Sequence, residues 1–95
     1  MSGLSLSSPN GGEVWGVGAH LITWSSLGSP GANIKIELLK GASVYKVLSS
    51  SYPNDGDVPW TVTSAYASGT DYRIRITSMS NPAYTDTSNG YFTFP

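Results

Sequence analysis

The chain has 95 residues, which is enough for one domain with a single hydrophobic core. It contains no cysteine, which excludes a disulfide-stabilised scaffold, and its five Lys or Arg residues against six Asp or Glu residues give a formal net charge of −1 at pH 7. This balance argues against nucleic acid as the main partner, and no apolar run is long enough for membrane insertion.

Apolar and polar residues alternate with a period of two along the chain, and helical periodicity is absent. This alternation predicts seven strands, at residues 4–7, 20–25, 33–40, 43–50, 58–62, 71–78 and 91–94. Residues 13–15 are expected to continue the first strand beyond a kink at Pro9, so that this strand switches sheets. Loops rich in turn formers are expected at 27–33 and 64–70. The spacing predicts an all-β fold, a seven-stranded immunoglobulin-like or fibronectin III-like β-sandwich.

Three aromatic residues are expected to be structural. Trp24 and Trp60 alternate with inward-facing aliphatic residues, so both are predicted to lie in the core. Tyr72 lies at the position of a tyrosine corner, in which the ring is buried in the core and the hydroxyl forms a hydrogen bond with an upstream backbone group. On the opposite face of the same strand, Arg73 and Arg75 are expected to form, together with Lys35, a solvated basic stripe that pairs with Glu37 across strands.

Five aromatic residues are candidates for carbohydrate binding: Trp15, Tyr45, Tyr52, Tyr66 and Tyr84. Trp15 either covers the open end of the sandwich or lies exposed as a platform on which a sugar ring stacks. The four tyrosines fall in loops or on outward faces, where a sugar ring could stack on them in the same way. Isolated exposed aromatic residues are also ordinary on protein surfaces. Exposure of at least two of these rings on one face would favour sugar binding, whereas burial of Trp15 together with dispersed tyrosines would contradict it.

Residues that would carry catalysis or bind a metal are few. The turn Asn54-Asp55-Gly56-Asp57 offers oxygen ligands for weak calcium binding, but its spacing differs from an EF-hand, and a solvated turn is the favoured interpretation. His20 is the only histidine, and no serine lies in a Gly-x-Ser-x-Gly motif. Asp55 and Asp57 are too close in sequence to flank a glycosidic bond by themselves, and Asp71 or Asp86 could join them only if the fold brought distant loops together. We therefore expect no enzyme activity, no catalytic residue, no metal and no cofactor.

Three signatures in the chain resemble a known family of exported modules. They are Ser8-Pro9-Asn10-Gly11-Gly12-Glu13-Val14-Trp15, then Leu21-Ile22-Thr23-Trp24, then Gly69-Thr70-Asp71-Tyr72-Arg73-Ile74-Arg75-Ile76, followed by the ending Asp86-x-Ser88-x-x-Tyr91-Phe92. The family is described as the Ser/Thr-rich glycosylphosphatidylinositol-anchored membrane family, or as the N-terminal domain of the yeast cell-wall β-1,6-glucan assembly proteins. The resemblance implies an extracytoplasmic immunoglobulin-like module within larger proteins, and it carries over no catalytic residue.

The sequence thus predicts a non-catalytic accessory module, a spacer or adhesion domain of a larger secreted or cell-surface protein. The alternative is a carbohydrate-binding module that binds cell-wall polysaccharide through the five aromatic residues above. Neighbouring domains of the parent protein are the expected partners, and the isolated domain is expected to be a monomer located outside the cell or at its surface. Met1-Ser2-Gly3 is expected to be a cloning remnant, which leaves residues 4–95 as the single domain. Recognition of a protein through an edge strand, at 91–94 or 4–8, is a third hypothesis.

Overall fold

A computed structural model describes residues 3–27, 31–41, 43–64, 66 and 68–95, and these residues form eight strands and no helix. The strands are β1 (Gly3–Ser8), β2 (Gly18–Leu27), β3 (Asn33–Lys40), β4 (Ser43–Pro53), β5 (Asp57–Val62), β6 (Gly69–Ser78), β7 (Thr85–Thr87) and β8 (Phe92–Phe94). The predicted all-β immunoglobulin-like sandwich is confirmed. Met1 and Ser2 of the expected remnant, residues 28–30 of the predicted loop, and Ala65 and Ala67 of the predicted corner lie outside the described residues.

The predicted count of seven strands is too low by one, because β7 was not expected. Its three residues, Thr-Asp-Thr, contain no apolar side chain, so they give no alternation of apolar and polar residues. The strand forms because its backbone pairs with β6, with Thr85 opposite Thr77 and Thr87 opposite Arg75. Cross-strand contacts add to this pairing, since the two threonine hydroxyls of the Thr77–Thr85 pair lie 3.0 Å apart.

The strands form two sheets. One sheet has the order β1-β2-β5, and the other has the order β4-β3-β6-β7, with β8 also paired to β6. Both β7 and β8 lie on the side of β6 opposite β3, because β3 already pairs with β6 from Tyr72 to Ser78. The two short strands therefore form one interrupted edge, and the interruption is residues 88–91.

The core lies between the two sheets and follows the predicted alternation. On β6 the buried side chains are Tyr72, Ile74 and Ile76, and the intervening residues are only partly buried. The other sheet contributes Ile22 and Trp24 from β2, both less than 6% exposed. Each large apolar side chain buried in this way stabilises the fold by about 1.5–3 kcal/mol. The alternation thus fixes which face of each strand packs inward.

The two ends of the described chain lie at opposite ends of the sandwich. Gly3 pairs with Leu27 at one end of β2, whereas Gly18 at the other end of β2 pairs with Val62. Pro95 lines a cavity together with Val62, so it lies at the Gly18 end. A ten-residue strand such as β2 spans about 30 Å, and the longest dimension of the molecule is 37 Å against 20 and 19 Å for the other two. The chain therefore enters at one tip of an elongated domain and leaves at the other.

Candidate functional site

Residues 9–15, which we call the crossing segment, pass from the sheet of β1 to the sheet of β8. The Ser8–Pro9 peptide bond is cis, and Val14 then forms a parallel bridge with Thr93. Backbone hydrogen bonds of 2.9 Å join the crossing segment to the chain around β8, and three of them run from the N–H of Gly12 to Tyr91 O, from that of Thr93 to Glu13 O, and from that of Trp15 to Thr93 O. The predicted switch of the first strand between sheets is confirmed.

Glu13 closes the turn at the start of the crossing segment. Its carboxylate accepts hydrogen bonds from the backbone N–H of Asn10 at 2.9 Å and of Gly11 at 2.8 Å. Gly11 packs directly against Gly90, since a Cβ built on Gly11 would lie 3.1 Å from the Cα of Gly90. The Asn-Gly-Gly-Glu part of the opening signature therefore serves a compact turn that approaches another backbone closely.

The opening signature also contacts the ending Asp86-x-Ser88-x-x-Tyr91-Phe92, which we call the final signature of the chain. The hydroxyl of Ser88 donates to Pro9 O at 2.6 Å, and Asn10 Oδ1 accepts from the N–H of Asn89 at 2.8 Å. Asp86 Oδ2 accepts from the N–H of Leu6 at 2.6 Å. Two signatures from opposite ends of the sequence thus form one structural unit, and their polar side chains bind backbone groups of this same chain.

Trp15 is not an exposed platform, so that interpretation is wrong. It is 8% exposed, and its ring is stacked face to face on the imidazole of His20, with centroids 4.6 Å apart and planes 5° apart. The His20 Nε2 atom lies 2.7 Å from Gly16 O, which fixes the imidazole in this position. Phe92 and Trp60 pack around Trp15 with centroids 5.6 and 6.1 Å away. Trp15 therefore takes the other role foreseen for it, which is to cover the end of the sandwich.

A cavity of about 190 Å³ opens beside Trp15 at this end of the sandwich. Apolar walls come from Trp15, Val17, Val62, Phe94 and Pro95, and the other described lining residues are small or bear a hydroxyl: Gly16, Thr63, Ser64, Tyr66 and Ser68. These residues come from three distant parts of the sequence, so no local motif indicated the cavity. Its size and its mixture of aromatic and hydroxyl groups suit a single small polar ring rather than an extended ligand.

The four candidate tyrosines do not form one surface. Tyr66 lines the cavity, and Tyr45, which is 41% exposed, lies next to it with ring centroids 6.4 Å apart. Tyr52 instead packs edge-on against Trp24 at 6.5 Å, and Tyr84 is half-buried in the loop before β7. Only two of the four tyrosines therefore lie near the cavity. Tyr91, which was not a candidate, is 50% exposed.

The residues expected to be structural are buried as predicted. Trp24 is 5% exposed, Trp60 9% and Tyr72 0%. The indole N–H of Trp24 donates to Asn54 Oδ1 at 2.7 Å, which connects the core to the turn after β4. The ring of Tyr72 packs edge-on against the ring of Tyr45, with centroids 5.7 Å apart, and burial raises the pKa of the Tyr72 hydroxyl. The backbone hydrogen bond of a tyrosine corner stays a prediction.

All five Lys and Arg residues of the chain lie on the five-stranded sheet: Lys35, Lys40, Lys46, Arg73 and Arg75. Glu37 is only 5% exposed. Its Oε1 atom accepts a hydrogen bond from Arg75 Nε at 3.0 Å, and its Oε2 atom lies 3.6 Å from Lys35 Nζ. The predicted pairing of Glu37 across strands is confirmed for Arg75, whereas Arg73 has other partners. The Arg73 guanidinium lies over the ring of Tyr91 at 5.1 Å and donates to Gly41 O.

The cation of Lys40 and the carboxylate of Asp71 form a second ion pair, at 2.7 Å, and Lys40 Nζ also lies 4.6 Å from the centroid of the Tyr72 ring. The hydrogen bond to Asp71 raises the pKa of Lys40, and the same bond lowers the pKa of Asp71. Both side chains are well over a quarter exposed, so solvent screens the pair.

The Asn54–Asp57 turn is held by its own polar atoms. Asn54 Nδ2 donates to Gly31 O at 3.1 Å, and Asp55 Oδ1 accepts weakly from the N–H of Asp57 at 3.4 Å. Within the described ranges no three His, Cys, Asp or Glu side chains converge as metal ligands would. The same part of the chain contains no helix that is long and apolar enough to cross a membrane.

Comparison with protein families matches residues 8–92 to a family model described as the Kre9/KNH-like N-terminal Ig-like domain. The matched stretch begins at Ser8, one residue before the crossing segment, and ends at Phe92, so it includes most of the contacts between the two signatures. No curated protein and no solved structure matches the chain significantly. The predicted resemblance to the domain of the yeast β-1,6-glucan assembly proteins is confirmed.

Proposed function

Because the chain belongs to the Kre9/KNH-like N-terminal Ig-like domain family, which is associated with the cell wall, we propose that it is a non-catalytic spacer within a larger extracellular protein. In this role the domain holds the segments before and after it at a fixed separation on the cell surface. Its partners are the neighbouring domains of the same polypeptide.

The observation that carries this proposal is the position of the two chain ends. Gly3 and Pro95 lie at opposite tips of a domain whose long dimension is 37 Å. A module inserted with this geometry keeps its neighbours apart by its full length, whereas a domain with adjacent ends would project sideways from the chain. The signature residues support the same role, because Glu13, Trp15 and Ser88 all bind or pack within the chain and hold this shape.

The test is replacement of residues 8–92 within the full-length gene product. One variant carries an unrelated immunoglobulin-like domain whose ends lie at opposite tips, and a matched variant carries a flexible Gly/Ser linker of the same number of residues. A flexible chain has no fixed end-to-end distance, so we expect surface display and neighbour activity to persist with the rigid replacement and to fall with the linker. Equal function with the linker would contradict a spacer role, and failure of both would indicate a specific binding surface.

Carbohydrate binding is a second candidate, and the cavity beside Trp15 favours it. Tyr66 and the hydroxyl-bearing residues Thr63, Ser64 and Ser68 line it, and Tyr45 lies beside Tyr66. An amide NMR titration with β-1,6- and β-1,3-linked gluco-oligosaccharides tests this site. Saturable shifts around Trp15 and Tyr66 that Val17→Glu abolishes would support binding in the cavity. The control is Val44→Glu, at an exposed position of β4 that is not part of the cavity lining. Absence of shifts at millimolar ligand would exclude it.

A further inference from the structure

We infer that the contact between the crossing segment and residues 88–93 is a mechanical clamp that lets the domain bear force along its long axis. Its biological use rests on the proposed spacer role, since a spacer between surface-attached domains is pulled from both ends. The mechanical property itself follows from the direction of two short stretches of chain and from where each is pulled.

Force applied to the chain ends pulls these two stretches in opposite directions. The crossing segment follows β1, so it is drawn towards the Gly3 tip, whereas β8 is drawn towards the Pro95 tip. The Val14–Thr93 bridge is parallel, which means that both stretches run from the middle of the domain towards the Pro95 tip. The applied force therefore acts along both strands and slides one past the other.

Sliding loads all the hydrogen bonds between the two stretches at the same time. Besides the three backbone bonds of the crossing segment, three more lie along the same contact: Gly90 N–H to Asn10 O, Asn89 N–H to Asn10 Oδ1, and Ser88 Oγ to Pro9 O. A peeling force would break such bonds one after another, with only one loaded at a time. Forced unfolding is governed by the barrier to unfolding, and simultaneous rupture makes that barrier higher.

Close packing at both ends of the contact opposes the same sliding. At the start of the contact, the turn of Gly11 lies against Gly90 so closely that a Cβ atom on Gly11 would be 3.1 Å from the Cα of Gly90. At the other end of the contact, the buried Trp15 ring is stacked on His20 and packed on Phe92. The crossing segment therefore moves only if this ring leaves the core. The pull from the N-terminus reaches β2 only after β1 and the crossing segment have both detached, because Gly18 follows them in the chain.

The clamp is tested by single-molecule force spectroscopy with two pulling geometries on the same folded domain. In the first, handles are attached at the two chain ends, which slides the contact. In the second, one handle is at the C-terminus and the other at Val17→Cys. Val17 is 73% exposed and lies at the Pro95 tip, and the chain has no other cysteine. This second geometry peels β8 away from that tip. We expect a clear unfolding peak with end-to-end pulling and its loss, or a much lower peak, with the second geometry.

A pair of variants separates the clamp from overall stability. Thr93→Pro removes the N–H that donates to Glu13 O, on the side of β8 that faces the crossing segment. Ile36→Val, a core change on β3, is the control, and both are compared after their free energies of unfolding have been measured. We expect a larger loss of end-to-end unfolding force in Thr93→Pro than its stability loss accounts for. Equal unfolding forces in the two geometries, or unfolding forces that follow stability alone, would contradict the clamp. The spacer role would not be affected by this result, because the domain-replacement experiment tests it separately.

Discussion

The hydroxyl of Ser88 donates a hydrogen bond to the backbone carbonyl of Pro9 at 2.6 Å, although the two residues are 79 positions apart in the sequence. The same hydroxyl accepts from the backbone N–H of Ile74 at 3.0 Å, and Ser88 is only 3% exposed. One buried side chain therefore connects the entry of the crossing segment, the central strand β6 and the break between β7 and β8.

Replacing this serine tests its role. Ser88→Ala removes the partner of a buried carbonyl and of a buried N–H, and leaving such groups unpaired costs about 1–3 kcal/mol. We expect the free energy of unfolding in urea to fall by about this amount, with an unchanged m-value. Ser51→Ala, at an exposed position of β4, is the control and should be nearly neutral. Equal effects of the two substitutions would contradict the structural role of Ser88.

Glu13 is expected to stabilise the domain through its carboxylate rather than through the aliphatic part of its side chain. Glu13→Ala removes both acceptors of the turn N–H groups, and by analogy with a helix cap the loss is about 1–2 kcal/mol. Glu13→Gln keeps one acceptor oxygen and should lose less. Amide hydrogen exchange of Asn10 and Gly11 should become faster in the order Glu, Gln, Ala at position 13. Unchanged exchange in Glu13→Ala would show that the carboxylate does not hold the turn.

Two neighbouring glycines should differ in their tolerance of alanine. Gly11 and Gly12 both have positive φ angles, of 139° and 83°, so both substitutions carry backbone strain of about 1–3 kcal/mol. Only at Gly11 would the new Cβ also meet the backbone of Gly90, at 3.1 Å, whereas nothing lies within 4 Å at Gly12. We therefore expect Gly11→Ala to lower the melting temperature more than Gly12→Ala. The reverse order would contradict the close approach of the two turns.

The Lys40–Asp71 pair predicts a dependence of stability on pH. The pKa of Asp71 is lowered in the folded state, so its contribution is fully present above the usual value of 3.8 and is lost as the pH falls through the folded-state pKa. The pKa of Lys40 is raised, so its contribution is present below the usual value of 10.5 and is lost as the pH rises through the folded-state pKa.

Chemical denaturation of the wild type, Lys40→Met, Asp71→Asn and the double variant measures this coupling. The coupling energy should be largest between these two limits, should disappear at both extremes of pH, and should shrink with added salt because the pair is exposed. A coupling energy that does not change with pH would show that the pair does not titrate as described.

Much of the core could be predicted from the sequence, because alternation is a local property of a strand. Tyr72, Ile74 and Ile76 are separated by charged residues, and a strand places alternate side chains on one face whatever lies opposite. Trp24 and Trp60 follow from the same pattern. The strand β7 could not be found in this way, since Thr85-Asp86-Thr87 has no apolar residue and depends on backbone pairing with β6.

The candidate site was predicted only in part, because exposure depends on partners from elsewhere in the chain. Trp15 is buried since His20 of β2 and Phe92 of β8 cover its ring, and neither contact is visible in its local sequence. Tyr66 and Pro95 meet at one cavity although 28 intervening residues separate them. The sequence by itself determined seven of the eight described strands, the inward faces and the family, through local periodicity and short signatures. Only the tertiary structure decided that these signatures contact each other, because the hydrogen bonds between them form when chain segments some 80 residues apart are brought together.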